Sequence, residues 1–403
     1  MALSAPSGRL RVATWARTIK PSTINEMLAL TAGPDITSFA LGLPAPELFP
    51  TEAYAKAAER VLSTDRRALQ YGPSYAPLKS HVVELMRRRG VECTEAQIVI
   101  TAGAQQALSI LSRSLLDPRG QVMLERVAYT GFQQVIEPFS PELLVVPTSL
   151  DRGLDVDAVE AYLSAGAEPA FIYVVSDGHN PLGISLARES RDRLVELARR
   201  YHVPIVEDDA YGLLHYGSDS SGLLPMRAQE DRWVFYVGSF SKVLAPAARI
   251  GWIVAPADLV PMLSGTKDAC DLDMNTFAQR TVAAFLEDGH LDPHLAMLRE
   301  EYRVRRDLMD AALRENFPAG TRWRVPDNGA LMWAELPGGI DCGALLPVAV
   351  ETERVAYVPG HAFTTDGSRY ARNCMRLNFS FPGRTEIREG IAALGRVLRG
   401  FAA

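Results

Sequence analysis

The sequence predicts an α/β fold with a mostly parallel sheet, and two observations support this prediction. Short apolar runs alternate with amphipathic helical patterns from about residue 75 to residue 260. The runs are apolar throughout, which is typical of strands covered by helices on both faces. In such sheets the ligand lies beyond the carboxyl ends of the strands, so polar residues that follow a run are candidate site residues.

Seven runs are predicted to form the strands of this sheet. They are Gln97–Ile100, Gln121–Leu124, Leu143–Val146, Ala170–Val175, Pro204–Val206, Trp233–Val237 and Ile250–Val254. Amphipathic helices over 104–115 and 189–201 lie between several of them.

The remainder of the chain predicts a division into three parts. An N-terminal arm with one short helix near 22–31 covers 1–50, a large domain covers 51–290, and a small α/β domain covers 291–403. Between the last two parts, a helical stretch over 278–316 is expected to break near Gly289 and Pro293. Strands near 330–336, 355–358 and 375–379 and a closing helix over 386–398 follow it.

Composition limits the classes of partner and compartment. The 403 residues are 47% hydrophobic and 22% charged, as in ordinary globular proteins, and the net charge of -6 disfavours nucleic acid and anionic membranes as partners. The four cysteines are far apart without CxxC spacing, which indicates free thiols, and we predict no metal site. No apolar run approaches the ~20 residues of a membrane span, and the first residues lack a signal-peptide core. We therefore expect a cytoplasmic protein.

The most informative motif is Ser239-Phe240-Ser241-Lys242, with Arg249 seven residues beyond the lysine. A lysine at the end of a buried strand has a lowered pKa, because burial and neighbouring cations disfavour its charge, and it becomes an amine that can form a Schiff base. The two serine hydroxyls and the guanidinium are suited to a phosphate. The motif therefore predicts a site for pyridoxal 5'-phosphate (PLP), with a surface turn that contains Ser and Lys as the alternative.

Candidate site residues also lie at or near other predicted strands. Gly103, Ala104 and Gln105 open a helix, whose N-terminus binds phosphate well, although an ordinary strand–helix turn is the alternative. Tyr129 is suited to stacking on a flat cofactor ring, or it belongs to the core. Arg376, in an apolar strand, is suited to a substrate carboxylate, or it forms a structural salt bridge.

Two further motifs suit the ring of such a cofactor. Asn180 follows a strand and is suited to donating to a phenolate oxygen, with a Pro-Gly turn as the alternative. Glu207, Asp208 and Asp209 follow the predicted strand that ends at Val206, and a carboxylate beside a pyridine nitrogen keeps that nitrogen protonated. Tyr211 is suited to bonding the ring hydroxyl, and helix capping is the alternative role for the acids.

In this order, the motifs resemble the fold type I PLP-dependent aminotransferases of class I and II, and most of all their 2-aminoadipate and kynurenine branch. The motifs are Pro21-Ser22-Thr23-Ile24, the segment 42–50, Leu69-Gln70-Tyr71, Gln105-Gln106-Ala107-Leu108, the segment 207–211 and Gly238-Ser239-Phe240-Ser241-Lys242. The resemblance covers nearly the whole chain. It implies a large domain with a mixed seven-stranded sheet, a smaller domain, and ping-pong transfer of an α-amino group from an amino acid to a 2-oxo acid.

The resemblance also implies three groups of functional residues. The catalytic group is Lys242, Asp208 and Tyr211. The cofactor-binding group adds Gly103, Ala104, Gln105, Tyr129, Asn180, Ser239, Ser241, Arg249 and Tyr71. The substrate-binding group is Arg376, Asn180, Gly42 and Asn25.

Within these groups, Lys242 would carry the Schiff base and shuttle protons. Asp208 would pair with the pyridine nitrogen, with Asp209 as the alternative partner. Tyr71 would reach the phosphate of a neighbouring subunit, so the resemblance implies a homodimer with shared active sites.

Several positions depart from the family pattern. The usual Pro-x-x-Gln-Asn-Pro-Thr-Gly is here the segment 176–183, in which His179 stands where the family has glutamine. Because no acid partner for His179 is visible, we expect it only to replace the packing and hydrogen bond of that amide, although contact with cofactor or substrate is the alternative. Asn25 stands where relatives that use long dicarboxylates often carry arginine. We therefore expect a donor with a polar, cationic or aromatic side chain.

Two other functions compete with transamination. The first is another PLP-dependent reaction on an amino acid, by an oxidase, cyclase, decarboxylase or elimination/replacement enzyme, because fold does not fix chemistry. The second is a PLP-binding domain of a transcription regulator. We disfavour it because the family match begins by about Pro21, which leaves no room for a DNA-binding module ahead of it.

Overall fold

The computed structural model describes residues 12–13, 15–17, 35–216 and 223–401. Three predictions fall outside these ranges: the short helix near 22–31, the motif Pro21-Ser22-Thr23-Ile24, and the role of Asn25.

A seven-stranded sheet forms the centre of the molecule, as predicted. Its strands are β1 (Ile98–Thr101), β2 (Gln121–Glu125), β3 (Glu142–Val146), β4 (Ile172–Val175), β5 (Ile205–Asp209), β6 (Val234–Ser239) and β7 (Gly251–Val254). Their spatial order is β1-β7-β6-β5-β4-β2-β3. Only β7 runs antiparallel to its neighbours, so the sheet is mixed and mostly parallel.

Helices cover both faces of this sheet. Those of the first two thirds of the chain are α1 (Thr51–Thr64), α2 (Ala76–Arg88), α3 (Ala104–Leu115), α4 (Thr130–Ile136), α5 (Val156–Ser164), α6 (Arg188–Tyr201), α7 (Val260–Asp271) and α8 (Thr276–Glu287). Helices α3, α4 and α7 bury apolar side chains on one face, and α5 and α6 bury theirs on the other. This two-sided cover explains why the strands read as continuous apolar runs.

A second, antiparallel sheet follows in the last quarter of the chain. Its strands are β8 (Arg322–Trp323), β9 (Leu331–Glu335), β10 (Val358–Pro359) and β11 (Cys374–Asn378), in the order β8-β9-β11-β10. Helices α9 (Leu291–Asn316), α10 (Cys342–Glu353) and α11 (Arg384–Phe401) share a buried core with this sheet. The division into domains at residues 50 and 290 stays a prediction.

Shorter elements connect these layers. Two-residue ladders join Thr37–Ser38 to Val355–Ala356 in parallel and Thr148–Ser149 to Gly153–Leu154 in antiparallel fashion. Turns of 3-10 helix lie at Trp15–Arg17, Pro46–Leu48, Arg66–Leu69, Glu95–Gln97, Glu137–Phe139, Met226–Ala228, Pro246–Ala248 and Gly360–Phe363.

Two boundaries differ from the sequence-based prediction. Strand β5 continues to Asp209, so the three acids lie inside the strand rather than after it. The break between α8 and α9 falls at residues 288–290, as predicted for Gly289, but Pro293 lies within the first turn of α9. Proline is tolerated there because the N–H groups of a first helical turn have no intrahelical acceptor. Gly289, at φ +73°, is suited to the break because a positive φ is cheap for glycine.

All four cysteines are free thiols, as predicted. The cytoplasmic location inferred from them stays a prediction. Within the described ranges, no helix combines the length and the apolar character that crossing a membrane requires.

Candidate active site

A cavity of about 460 Å³ lies where β4, β5 and β6 end. It gathers most of the residues that the sequence singled out. Those that line it are Gly42, Ala104, Gln105, Tyr129, Asn180, Asp208, Tyr211, Ser239, Ser241, Lys242, Arg249 and Arg376. Gly103 lies directly behind this wall, and Tyr71 lies on the surface outside the cavity.

Lys242 brings an amine into the cavity shortly after β6 ends at Ser239. Its Nζ donates a hydrogen bond of 2.6 Å to the carbonyl oxygen of Gly42. Burial, followed by the charges of Arg376 and Arg249, lowers the pKa of Lys242 to about 8. A sizeable fraction of the amine is therefore neutral, and nucleophilic, near neutral pH.

The hydroxyls and guanidinium next to Lys242 form a cradle for an anion. The Ser239 hydroxyl donates to that of Ser241 over 3.0 Å, and Arg249 Nη2 donates to the carbonyl of Ala102 over 2.6 Å. Arg249 has a left-handed backbone (φ +52°), which is uncommon for a residue with a side chain and is typical of functional sites.

Gly103 allows the helix N-terminus to complete this cradle. It precedes α3 with φ +81°, and a Cβ atom there would lie 2.7 Å from Arg249 Nη2. The first N–H groups of α3, at Ala104 and Gln105, have no intrahelical acceptors and lie at the positive end of the helix dipole. The cradle therefore suits a phosphate.

Asp208 is the acid of β5 that faces the cavity. Its Oδ2 accepts a hydrogen bond of 2.8 Å from the hydroxyl of Tyr173, and its buried Oδ1 has no partner among the described residues. Burial raises the pKa of Asp208 to about 6, against the lowering effect of the Tyr173 hydrogen bond. An unpaired carboxylate oxygen in such a position favours a cationic group of a ligand.

Glu207 and Asp209 already have partners elsewhere. Glu207 accepts the backbone N–H groups of Met226 and Arg227 at 2.8 and 3.0 Å. Asp209 accepts Arg89 Nη2 at 2.7 Å and does not line the cavity. The geometry therefore favours Asp208 over Asp209 as the residue that meets a ligand.

Arg376 extends from β11 into the cavity. Its Nη1 donates to Asn180 Oδ1 over 3.0 Å, its Nη2 donates to the carbonyl of Ala40, and its Cζ lies 5.0 Å from the centre of the Phe363 ring. Burial lowers the pKa of Arg376 to about 10, and its Nε has no partner within the described part of the chain. The guanidinium remains a cation at neutral pH and is suited to a carboxylate.

Two tyrosines provide aromatic walls. The Tyr129 hydroxyl donates to Gln105 Oε1 over 3.3 Å, and a Cβ atom on Gly131 would approach the Tyr129 ring to 2.4 Å. Burial raises the pKa of Tyr211 well above its usual range, so its hydroxyl stays protonated and can donate. Both side chains are suited to a flat polar ring.

The prediction that His179 lacks an acid partner is wrong. His179 is buried, and its Nε2 lies 2.8 Å from Oε2 of the buried Glu125 at the end of β2. The N–H of Leu182 donates to His179 Nδ1, so the Nε2 carries the proton toward Glu125. The pair was not visible in the sequence, because nothing there shows that the ends of β2 and β4 lie side by side.

Other residues of the site were missed altogether. Tyr173 lies in the middle of a run that reads as core, and Phe363 lies in a segment with no strong pattern. Thr130 and Gln134 line the cavity from α4. Their only signal was closeness in sequence to Tyr129.

Together these groups suit one kind of ligand. A nucleophilic amine, a phosphate cradle and an unpaired carboxylate oxygen share one cavity with a guanidinium. A phosphorylated pyridine aldehyde such as PLP would use the first three, and a substrate carboxylate would use the fourth.

Comparisons with known proteins agree with this interpretation. Residues 36–394 match the family model of class I and II aminotransferases. The aromatic-amino-acid aminotransferase 1 of Thermococcus litoralis is 38% identical over 94% of this chain and 92% of its own length. Two fold type I structures are similar across almost the full chain.

The first is the kynurenine aminotransferase of Pyrococcus horikoshii, with a TM-score of 0.91 and 33% identity over 97% of this chain and 98% of the other. The second is the α-aminoadipate aminotransferase of Thermus thermophilus, in complex with N-(5'-phosphopyridoxyl)-L-leucine. Its TM-score is 0.89, with 36% identity over 97% of this chain and 98% of the other.

Replacing Arg89 by Met should lower the free energy of unfolding by about 3–5 kcal/mol. The substitution removes a buried cation whose Nη2 lies 2.7 Å from Asp209 Oδ2 and 3.1 Å from Asp177 Oδ2. Arg87→Met is the matched control, since Arg87 pairs with the exposed Glu84 and should cost only about 0–1 kcal/mol. Urea unfolding of both apoproteins measures the difference. Equal losses in the two variants would contradict the role of Arg89 as the partner of these acids.

Proposed function

The chain belongs to the class I and II aminotransferases, and on this premise we propose that Lys242 binds PLP covalently and moves the proton of the reaction. The protein is a PLP-dependent transaminase, which transfers an amino group from an amino acid to a 2-oxo acid. The observation that carries the assignment is the amine of Lys242 in one cavity with the unpaired Oδ1 of Asp208.

The residues present fit the cofactor. Ser239, Ser241, Arg249 and the N-terminus of α3 would hold its phosphate, and a side chain at Gly103 would fill that cradle. Asp208 Oδ1, which has no partner among the described residues, would accept a hydrogen bond from the protonated ring nitrogen.

The aromatic and polar walls would hold the ring. Tyr129 would pack on its face, and Asn180 and Tyr211 would donate to its oxygen. When bound, PLP supplies an aldehyde that links to amines and a ring that accepts electrons.

Lys242 is suited to two tasks. Its neutral amine would hold the cofactor through a covalent link to the aldehyde carbon, and once free, its Nζ would take the proton from the substrate Cα and deliver it to that same cofactor carbon. The lowered pKa allows both, because the amine alternates between neutral and charged forms near neutral pH. Arg376 would orient the substrate through its α-carboxylate.

Capture of PLP by the apoprotein should follow the ionisation of Lys242. Only the neutral amine reacts, so the rate should rise about tenfold per pH unit below 8 and level off above it, given a pKa of about 8. Borohydride quenching at timed intervals, followed by peptide mapping, measures the pyridoxyl label at each pH.

Nα-acetyl-lysine, whose rate should still rise at pH 10, is the reference amine for this measurement. Lys242→Ala should give no labelled peptide and should lose turnover. A label on another lysine of the wild-type protein would refute the assignment of Lys242.

We also propose that the amino donor carries a neutral aromatic or apolar side chain. Among the described residues that line the cavity, the cations are Lys242, Arg249 and Arg376, and each has a task already. The wall that remains includes Leu41, Leu43, Val358 and Phe363. A second carboxylate would find no free cation there, whereas an aromatic ring would bury apolar surface at about 25 cal/mol per Å².

The names of the relatives support two donor classes, aromatic amino acids and 2-aminoadipate, so a comparison between them is decisive. In the half-reaction with the PLP form, kcat/KM should be at least about tenfold higher for phenylalanine or kynurenine than for 2-aminoadipate. Burying the second carboxylate of 2-aminoadipate without a partner costs more than about 1.4 kcal/mol, which corresponds to that factor. Stopped-flow absorbance of the half-reaction, without an oxo acid, measures each donor separately. Equal or faster reaction of 2-aminoadipate would refute this donor class.

Finally, we propose a homodimer in which Tyr71 of each subunit reaches the phosphate of the other. Tyr71 lies outside its own cavity with 78% of its surface exposed, next to the exposed Leu69. It also lines a second hollow together with Leu272, which is 73% exposed. Large apolar side chains so exposed are typical of an interface.

Mixed dimers test this arrangement. Lys242→Ala alone should be inactive, and Tyr71→Ala alone should bind PLP about tenfold more weakly, because a hydrogen bond to a charged phosphate is lost. A dimer of one Lys242→Ala and one Tyr71→Ala subunit should contain one complete site and recover native PLP affinity there. No recovery after subunit exchange, with dimers confirmed by sedimentation, would contradict the shared site.

A further inference from the structure

Two buried tyrosines flank β5 and donate to consecutive acids. Tyr173 on β4 donates to Asp208 Oδ2 over 2.8 Å, and Tyr236 on β6 donates to Asp209 Oδ2 over 2.9 Å. Both rings are about 2% exposed. The two hydrogen bonds have the same chemistry, but only Asp208 lines the cavity.

The position of Tyr173 is fixed independently of its hydroxyl. Its ring stacks on Phe132 of α4 with centroids 3.6 Å apart and planes 9° apart. Because this packing holds the ring, its hydroxyl donates a hydrogen bond from a fixed position. A group that orients another side chain must itself be fixed in this way.

We propose that Tyr173 is a positioning residue, which holds the carboxylate of Asp208 charged and turned so that Oδ1 is left for the ring nitrogen of PLP. The inference rests on the proposed function, because it assigns Oδ1 to that nitrogen. Tyr173 donates to Asp208 and is not itself among the described residues that line the cavity.

The physical reason is the shortage of other donors to this carboxylate. Within the described residues, the Tyr173 hydroxyl is the hydrogen-bond donor to Asp208 Oδ2, and Oδ1 has none. The neighbouring Asp209 opposes the negative charge, and burial opposes it more strongly. Loss of the hydroxyl would therefore favour the protonated carboxyl, which pairs poorly with a protonated ring nitrogen.

Tyr173→Phe keeps the stacked ring and removes only the hydroxyl. We expect its apoprotein to bind PLP about tenfold more weakly, because the hydrogen bond removed is one to a charged group. In the half-reaction with excess PLP, kcat should fall about tenfold while the KM of the donor stays within about twofold. The donor carboxylate binds at Arg376, which the substitution does not touch.

Tyr236→Phe is the matched control. It removes a phenol–carboxylate hydrogen bond of nearly equal length from the next acid, which Arg89 still neutralises. Both variants should unfold at a lower temperature than the wild type. Only Tyr173→Phe should change PLP affinity and kcat, and if the two variants behave alike in these measurements, the proposal is overturned.

A double-mutant cycle with Asp208→Asn shows through which residue Tyr173 acts. In the Asp208→Asn background, Tyr173→Phe should change PLP affinity by less than about twofold, because the group that it positions is already gone. A further tenfold loss would show that Tyr173 acts elsewhere and would overturn the proposal.

If Tyr173→Phe does not fold, 3-fluorotyrosine at position 173 is the second variant. Its hydroxyl is a stronger hydrogen-bond donor, so it should tighten PLP binding. Weaker or unchanged binding would count against the proposal.

Failure of this inference is distinguishable from failure of the proposed function. Peptide mapping after borohydride reduction reports on Lys242 in the wild type and in every variant. A label at Lys242 with equal behaviour of the two Phe variants rejects only the role of Tyr173, whereas a label elsewhere rejects the site itself.

Discussion

Three carboxylates in succession at the end of a buried strand are the constraint on which the site depends. Each charge needs a partner, because an unpaired charge in the interior is costly. Alternation along β5 directs Asp208 to one face of the sheet and its two neighbours to the other. Glu207 is matched by backbone N–H groups and Asp209 by Arg89. In the described part of the chain, only Asp208 among the three keeps an oxygen without a partner.

The second sheet and the segment beside it add residues to the cavity at the end of the first sheet. Arg376 reaches the cavity from β11, and the carbonyl of Phe363 accepts the N–H of Ala128 over 3.0 Å. The N–H of Thr365 donates to the carbonyl of Arg126 over 2.9 Å. These bonds fasten the segment that carries Phe363 to the segment between β2 and α4. The guanidinium of Arg376 and the amine of Lys242 therefore share one cavity although they lie far apart in sequence.

The sequence predicted the fold and most of the residues that line the cavity, for local reasons. Buried parallel strands read as apolar runs, and the polar residues that follow them converge at one edge, so Lys242, Asp208 and Asn180 were found without knowledge of the packing. What was missed depends on which strands are neighbours. Tyr173 reads as core until β4 is placed beside β5, and His179 lacks a partner until β2 is placed beside β4. The helix break was predicted near both Gly289 and Pro293, and it lies at Gly289, because a proline in the first turn of a helix gives the same sequence signal as a break.

The carbonyls of Ala40 and Gly42 accept hydrogen bonds from Arg376 and Lys242, and Leu41 and Leu43 line the same cavity. In this segment the backbone therefore holds the two cationic side chains in place, while the two leucines form part of the cavity wall. A carbonyl is common to all amino acids, so substitution here leaves both anchoring contacts in place. The shape of the cavity can therefore change at these two positions across descendants of such a chain while Arg376 and Lys242 stay anchored.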